Sequence, residues 1–170
     1  MWPKFAPFDV FAPIRCMRMP VLSMCGADGR MAGVARTVRI HGDFLGVVRA
    51  IRDASAGEVL MIDAGMGETH GSEAPWPANG GMFGELLAME AQRKQLAGMV
   101  IDGNVRDTAT QRTLDIPIYA RGVHPNAGTA DAQGQHQITV QMAGLQIFPG
   151  DMVLGDDDVS AHECRRAPPT

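Results

Sequence analysis

No segment of this 170-residue chain approaches the roughly eighteen consecutive apolar residues of a membrane-spanning helix, because glycine, proline or a charge interrupts every apolar run. That pattern argues against a transmembrane protein. An apolar leader is missing too: Pro3, Pro7 and Pro13 break up the N-terminal segment, which points away from a secretory signal and towards the cytoplasm. Cysteine is scarce. Cys16, Cys25 and Cys164 are odd in number and show no C-x-x-C spacing, so neither a disulfide framework nor a structural zinc site is indicated, and reduced thiols are expected. Lys/Arg runs with interleaved aromatics, the mark of a nucleic-acid surface, are also lacking.

What is there suits one domain with a core of its own: 45% of residues are hydrophobic and 20% are charged. The net charge of −4 is unevenly spread, with eight Lys/Arg against three acids in residues 1–52 and seven against sixteen in 53–170. The basic positions are dispersed, and Arg36 and Arg39 fall in an expected strand, so nucleic acid is not an expected partner.

Residues 1–30 combine Trp2, Phe5, Phe8 and Phe11 with prolines and show no sustained period, which reads as an irregular arm. Residues 31–158 read as the domain and 159–170 as a polar tail. In the domain, 32–40 alternates apolar and basic positions as a half-buried strand does. Asp43 is placed to cap a helix over 44–54. A buried strand is expected at 58–62, a long glycine-rich connection at 63–81, and a helix over 82–96 with a basic last turn. Strands at 99–101, 118–121, 138–142 and 152–154, a turn at 102–104 and a short helix at 108–114 complete the reading. Strands alternating with helices define an α/β layered fold.

Two constellations carry chemistry. Gly80-Gly81-Met82-Phe83-Gly84-Glu85-Leu86-Leu87 brings glycines to a helix start, where free N–H groups and the helix dipole favour an anion; a plain tight entry to the helix is the alternative. Asp102-Gly103-Asn104-Val105-Arg106-Asp107 ends a strand in a carboxylate and an Arg-Asp pair, which a capping role for Asp107 would also explain. A helix from Glu85 travels roughly 18 Å at ~1.5 Å per residue, and the following strand returns a similar distance, so Glu85 and Arg106-Asp107 should meet at one end. Such a site offers backbone donors, a permanent cation and two or three carboxylates, a set that suits Mg²⁺ or Mn²⁺ better than zinc.

Other signals are weaker. Gly65-Met66-Gly67 approaches a dinucleotide fingerprint, but the third glycine, Gly71, comes one place late. His70 and His124 have no metal partner at ligand spacing, and the methionines read as core filling.

The motifs just quoted, extended through Gly98-Met99-Val100-Ile101 and Pro117-Ile118-Tyr119-Ala120-Arg121-Gly122, resemble the RraA-like family over about residues 31–157. That family includes the divalent-metal-dependent 4-hydroxy-4-methyl-2-oxoglutarate aldolases, or class II pyruvate aldolases. An acid followed after twenty residues by Arg-Asp, here Glu85 and Arg106-Asp107, is the pattern of the aldolase branch. The resemblance implies a layered α/β/β fold of swivelling type, assembled as homotrimers or hexamers with sites between subunits. It implies that the backbone around Gly84, Glu85, Leu86 and Leu87 binds the carboxylate of a small oxo-acid and that Arg106 binds its keto or enolate oxygen. Asp107 would hold Mg²⁺ or Mn²⁺, and Glu85 would hold or orient water at the metal and help move protons. Pyruvate release by aldol cleavage, and by oxaloacetate decarboxylation, is the implied activity; a non-catalytic ribonuclease regulator is the alternative within the family. The resemblance fades at both ends, where neither the expected N-terminal helices nor a C-terminal metal-site acid is identifiable.

Overall fold

The computed structural model describes residues 15–18, 23–24, 29–65, 80–131, 133–156 and 162–165. Four parallel strands form its centre: β3 (Met31–Arg39), β4 (Glu58–Asp63), β6 (Gly98–Val105) and β7 (Ile118–Val123), adjacent in that order. The connections between them carry α1 (Leu45–Asp53), α2 (Glu85–Arg93) and the one-turn α3 (Thr108–Gln111). Short strands extend the sheet. β1 (Arg15–Arg18), β12 (His162–Arg165) and β11 (Met152–Gly155) continue it beyond β3, and β2 (Ser23–Met24) closes it beside β7. β5 (Gly81–Phe83) pairs with the end of β6, and β8 (Gln135–His136) with β3, while β9 (Val140–Met142) and β10 (Leu145–Ile147) form a separate hairpin.

The inner strands β4 and β6 are buried along nearly their whole length because both of their faces are covered, whereas β3 alternates buried and partly exposed positions. Leu60, Ile62, Met99, Ile101, Ile118 and Ala120 point to the helices and pack with Val47, Ala50, Ile51, Ala88 and Ala91. The alternate residues Val59, Met61, Val100 and Tyr119 point the other way and pack with Val140, Met142 and Ile147 of the hairpin. The result is a helix layer, a mixed sheet and a small second β layer, the α/β/β arrangement expected. Ala143 and Gly144 turn the hairpin with φ of 48° and 81°, the paired positive values of a type I′ turn.

Several boundaries differ from the periodicity. Helix α2 starts at Glu85, because Met82 and Phe83 are buried in a strand against β6. The turn expected at 102–104 is a bulge inside β6, where the register with β7 shifts between Ile101 and Asn104. The segment read as an irregular arm contains β1 and β2, and the polar tail contains β12; β1 and β12 pair antiparallel, so edge pairing distant in sequence orders them. The near-fingerprint beyond Gly65 and His70 lie outside the described residues. Helix α1 starts one residue later than expected, so Phe44 rather than Asp43 takes the N-cap position; Asp43, just before it, still accepts the Leu45 N–H through Oδ1 at 2.7 Å, and its Oδ2 accepts the Thr129 hydroxyl at 3.0 Å. Arg36 and Arg39 are each engaged within the chain, by Glu58 at 2.7 Å and by Asp63 at 2.9 Å. No helix among the described residues is long and apolar enough to cross a membrane.

Candidate active site

Pairing of β5 with the last residues of β6 assembles the site. The Phe83 carbonyl accepts the Arg106 N–H at 2.9 Å, so the chain leaves both strands side by side, one turning through Gly84 into α2 and the other through Arg106-Asp107 into α3. The approach is close because position 84 has no side chain: a Cβ there would lie 2.6 Å from Asp107 Oδ2 and 2.7 Å from Arg106 Nε. Across this gap Asp107 Oδ2 accepts the Glu85 N–H at 3.2 Å. Glu85 and the Arg-Asp pair thus meet, as the lengths of helix and strand require.

The Arg106 guanidinium lies 3.4 Å from Asp107 Oδ2, and the two side chains are 31% and 41% exposed. Asp107 occupies the N-cap position of α3, yet its carboxylate makes no cap bond there and turns to α2 instead. Its backbone is left-handed, with φ 58° and ψ 36°, a conformation that costs a non-glycine residue roughly 1–2 kcal/mol and must be held by its surroundings. The remaining N–H groups of the first turn of α2, at Leu86 and Leu87, have no intrahelical acceptor by helix geometry. An open cleft of about 370 Å³ lies in front, lined by Gly84, Glu85, Leu86, Leu87, Arg106, Asp107, Pro125 and Ala127.

Gly84, Glu85, Leu86, Leu87, Arg106 and Asp107 therefore border one cleft. Asp102, considered as a third carboxylate, does not: it is fully buried, with Oδ1 accepting from Arg121 Nε and Oδ2 accepting the Ala143 N–H at 2.7 Å. Pro125 and Ala127 had no local signal, since they reach the cleft through the bond of the Gly81 N–H to the Asn126 carbonyl at 2.7 Å. Leu86 is 75% exposed at the rim, whereas Ala88 and Ala91 form the core face of α2. His124 Nδ1 accepts the Asn126 N–H at 3.3 Å.

The donors suit a hard cation that keeps much of its water. Both contacts of the Asp107 carboxylate run through Oδ2, so Oδ1 keeps its lone pairs, and among the described residues Glu85 forms no ion pair. No cluster of three or more His, Cys, Asp or Glu side chains exists among the described residues. Mg²⁺ is commonly held by one or two carboxylates with waters.

Fold and site together define an α/β/β domain in which the start of α2 faces Arg106 and the carboxylates of Glu85 and Asp107 around one cleft. The chain belongs to the RraA-like family (Aldolase/RraA), whose family model matches residues 13–159. A relative from Halalkalibacterium halodurans named "Putative 4-hydroxy-4-methyl-2-oxoglutarate aldolase" is 32% identical over 132 residues, 77% of this chain and 58% of the relative. The chain thus spans under two thirds of that relative's length. The structure of the RNA-processing inhibitor RraA from Thermus thermophilis superposes with a TM-score of 0.77 at 27% identity, covering 95% of this chain and 91% of the other. A structure titled S-adenosylmethionine: 2-dimethylmenaquinone methyltransferase, from Geobacillus kaustophilus, shares the fold with a TM-score of 0.77 at 22% identity, covering 89% of each chain.

Proposed function

We propose that this cleft is the site of a divalent-metal-dependent carbon–carbon lyase that cleaves 4-hydroxy-4-methyl-2-oxoglutarate-type substrates and decarboxylates oxaloacetate, releasing pyruvate. The carrying observation is the convergence of the α2 N–H groups, Arg106, Asp107 and the Glu85 carboxylate on one open cleft. The aldolase name of the Halalkalibacterium relative supports the same reading.

The chemistry needs few parts. The free N–H groups at the start of α2 bind the carboxylate of the 2-oxo acid. Arg106 donates to the 2-oxo oxygen and favours the negative charge that collects there when the C3–C4 bond breaks, since its guanidinium cannot lose its proton. Glu85 accepts the C4 hydroxyl proton, directly or through water, and a proton returns to C3 to give pyruvate. Asp107, with Glu85 through water, would hold Mg²⁺ or Mn²⁺, which supplies Lewis-acid stabilisation of the same developing charge. Decarboxylation of oxaloacetate passes through the same pyruvate enolate, so one arrangement serves both substrates. Leu86 and Met89, 75% and 50% exposed on α2, form an apolar strip beside the cleft that fits assembly into trimers or hexamers with sites between subunits.

The test is pyruvate release from both substrates with Mg²⁺ or Mn²⁺, with chelator, and with Arg106→Ala. Metal-dependent turnover lost in the variant is expected; folded wild-type protein no faster than the metal alone would overturn the assignment. A second reading, a non-catalytic regulator that binds a ribonuclease, is favoured by the near-complete overlap with the Thermus RNA-processing inhibitor. That role would survive Asp107→Ala, whereas the lyase would not.

A further inference from the structure

Beneath the cleft lies a polar residue that the proposed chemistry does not use. Gln111 ends α3, its side chain is fully buried, and its Oε1 has no hydrogen-bond partner. A buried amide oxygen left without a partner is destabilising, so an apolar residue would be expected at this position unless the other end of the amide is needed. That other end is engaged. Nε2 donates to the Arg106 carbonyl at 2.6 Å, and the Gln111 backbone N–H donates to the Asp107 carbonyl at 3.2 Å.

These two carbonyls belong to the two peptide planes that flank the Asp107 Cα. Fixing the Arg106–Asp107 plane sets φ of Asp107, and fixing the Asp107–Thr108 plane sets ψ. One residue thus holds both dihedrals of the left-handed Asp107, the conformation from which its carboxylate reaches the Glu85 N–H. Without the side-chain bond, the Arg106–Asp107 peptide plane loses the anchor on its carbonyl, and relaxation to negative φ would relieve the left-handed strain. We infer that Gln111 is a positioning residue, which pins Arg106-Asp107 in the left-handed turn and so aims both side chains into the cleft. The inference rests on the proposed lyase reading for its catalytic consequence, and on geometry alone for its structural one.

The test compares wild type with Gln111→Met, which keeps volume and removes the donor, and Gln111→Asn, whose amide is one methylene too short to reach. Two readouts are taken for each protein. The backbone conformation of Asp107 is read from NMR chemical shifts and the H–N/Hα coupling, and steady-state pyruvate release gives kcat and KM. Thermal unfolding accompanies both, so that a variant that fails to fold is set aside and the other carries the comparison. The expected result is loss of the positive φ signature at Asp107, a fall in kcat of about tenfold or more, and a weakened affinity for Mn²⁺ measured by calorimetry in folded protein. Unchanged Asp107 shifts in a folded variant would overturn the inference whatever the activity. Altered shifts with unchanged kcat, KM and Mn²⁺ affinity would overturn the positioning role while leaving the lyase reading intact. Wild-type protein without turnover would remove that reading, and the inference then stands or falls on the NMR and Mn²⁺ arms.

Discussion

Gly84 and Asp107 are packed so closely that a single methyl group on the glycine would lie 2.6 Å from the carboxylate oxygen Oδ2. The neighbouring Arg106 Nε would be 2.7 Å away. Both threatened atoms sit near the free ends of partly exposed side chains, so they can move aside without disturbing the sheet. Gly84→Ala is therefore expected to leave the unfolding midpoint nearly unchanged while turnover falls by about a hundredfold, the scale of a misplacement near 1 Å. Parallel calorimetry and pyruvate assays check this; loss of stability with activity per folded molecule retained would contradict it.

Asp102 lies on the opposite face of β6 and has a structural task. Asp102→Ala removes the carboxylate facing Arg121 and strips the Ala143 N–H of its acceptor. Because Arg121 keeps 21% side-chain exposure, the cost should fall below that of a wholly buried pair, at about 2–4 kcal/mol. Urea unfolding measures it. A change under about 0.5 kcal/mol, the scale of an exposed position, would show that the pair does not hold the hairpin to the sheet.

The α/β layering was legible because strand-like apolar stretches alternate with helical periods, whereas the parallel order of β3, β4, β6 and β7 emerges only from the fold. The meeting of Glu85 with Arg106-Asp107 was legible because the rise per residue of a helix and of the returning strand is known. The start of α2 was not: Gly81–Phe83 is too short for a strand period, and its partner is 22 residues and more away. The turn expected at 102–104 failed for a related reason. Gly103 and Asn104 ordinarily punctuate the chain, but the buried pairing of Asp102 with Arg121 carries β6 through them as a bulge. Gln111 carried no local signal at all, since its role depends on two carbonyls whose orientation only the fold defines.

The exposed strip on α2 predicts an assembly that a charge should disrupt. Met89 is 50% exposed and does not line the cleft, so Met89→Asp should leave the subunit folded. Light scattering is expected to show trimers or hexamers for wild type and a smaller species for the variant. Identical masses for the two proteins would remove α2 from the interface.

On the same helix, Glu90 and Arg93 provide a control for surface charge. Two hydrogen bonds from Arg93, at 2.6 and 2.7 Å, hold the Glu90 carboxyl below its ordinary value. A carboxyl lowered in the folded state contributes its stability above its unfolded-state value and loses it as pH falls through the lower folded value. The Glu90 side-chain carbon should therefore titrate at lower pH than an ordinary glutamate in NMR, and Arg93→Ala should return it to the usual range. Catalysis should not change.

The most direct test of the central claim uses pyruvate alone, because the enolate is common to every substrate proposed. In D₂O with Mg²⁺ or Mn²⁺, the wild-type protein should exchange the pyruvate methyl protons for deuterium, seen by NMR as decay of the methyl signal well above the rate with metal alone. Chelator or Arg106→Ala should abolish that excess. A methyl signal that persists in the presence of folded wild-type protein and metal, as it does without protein, would contradict the assignment of enolate chemistry to this cleft.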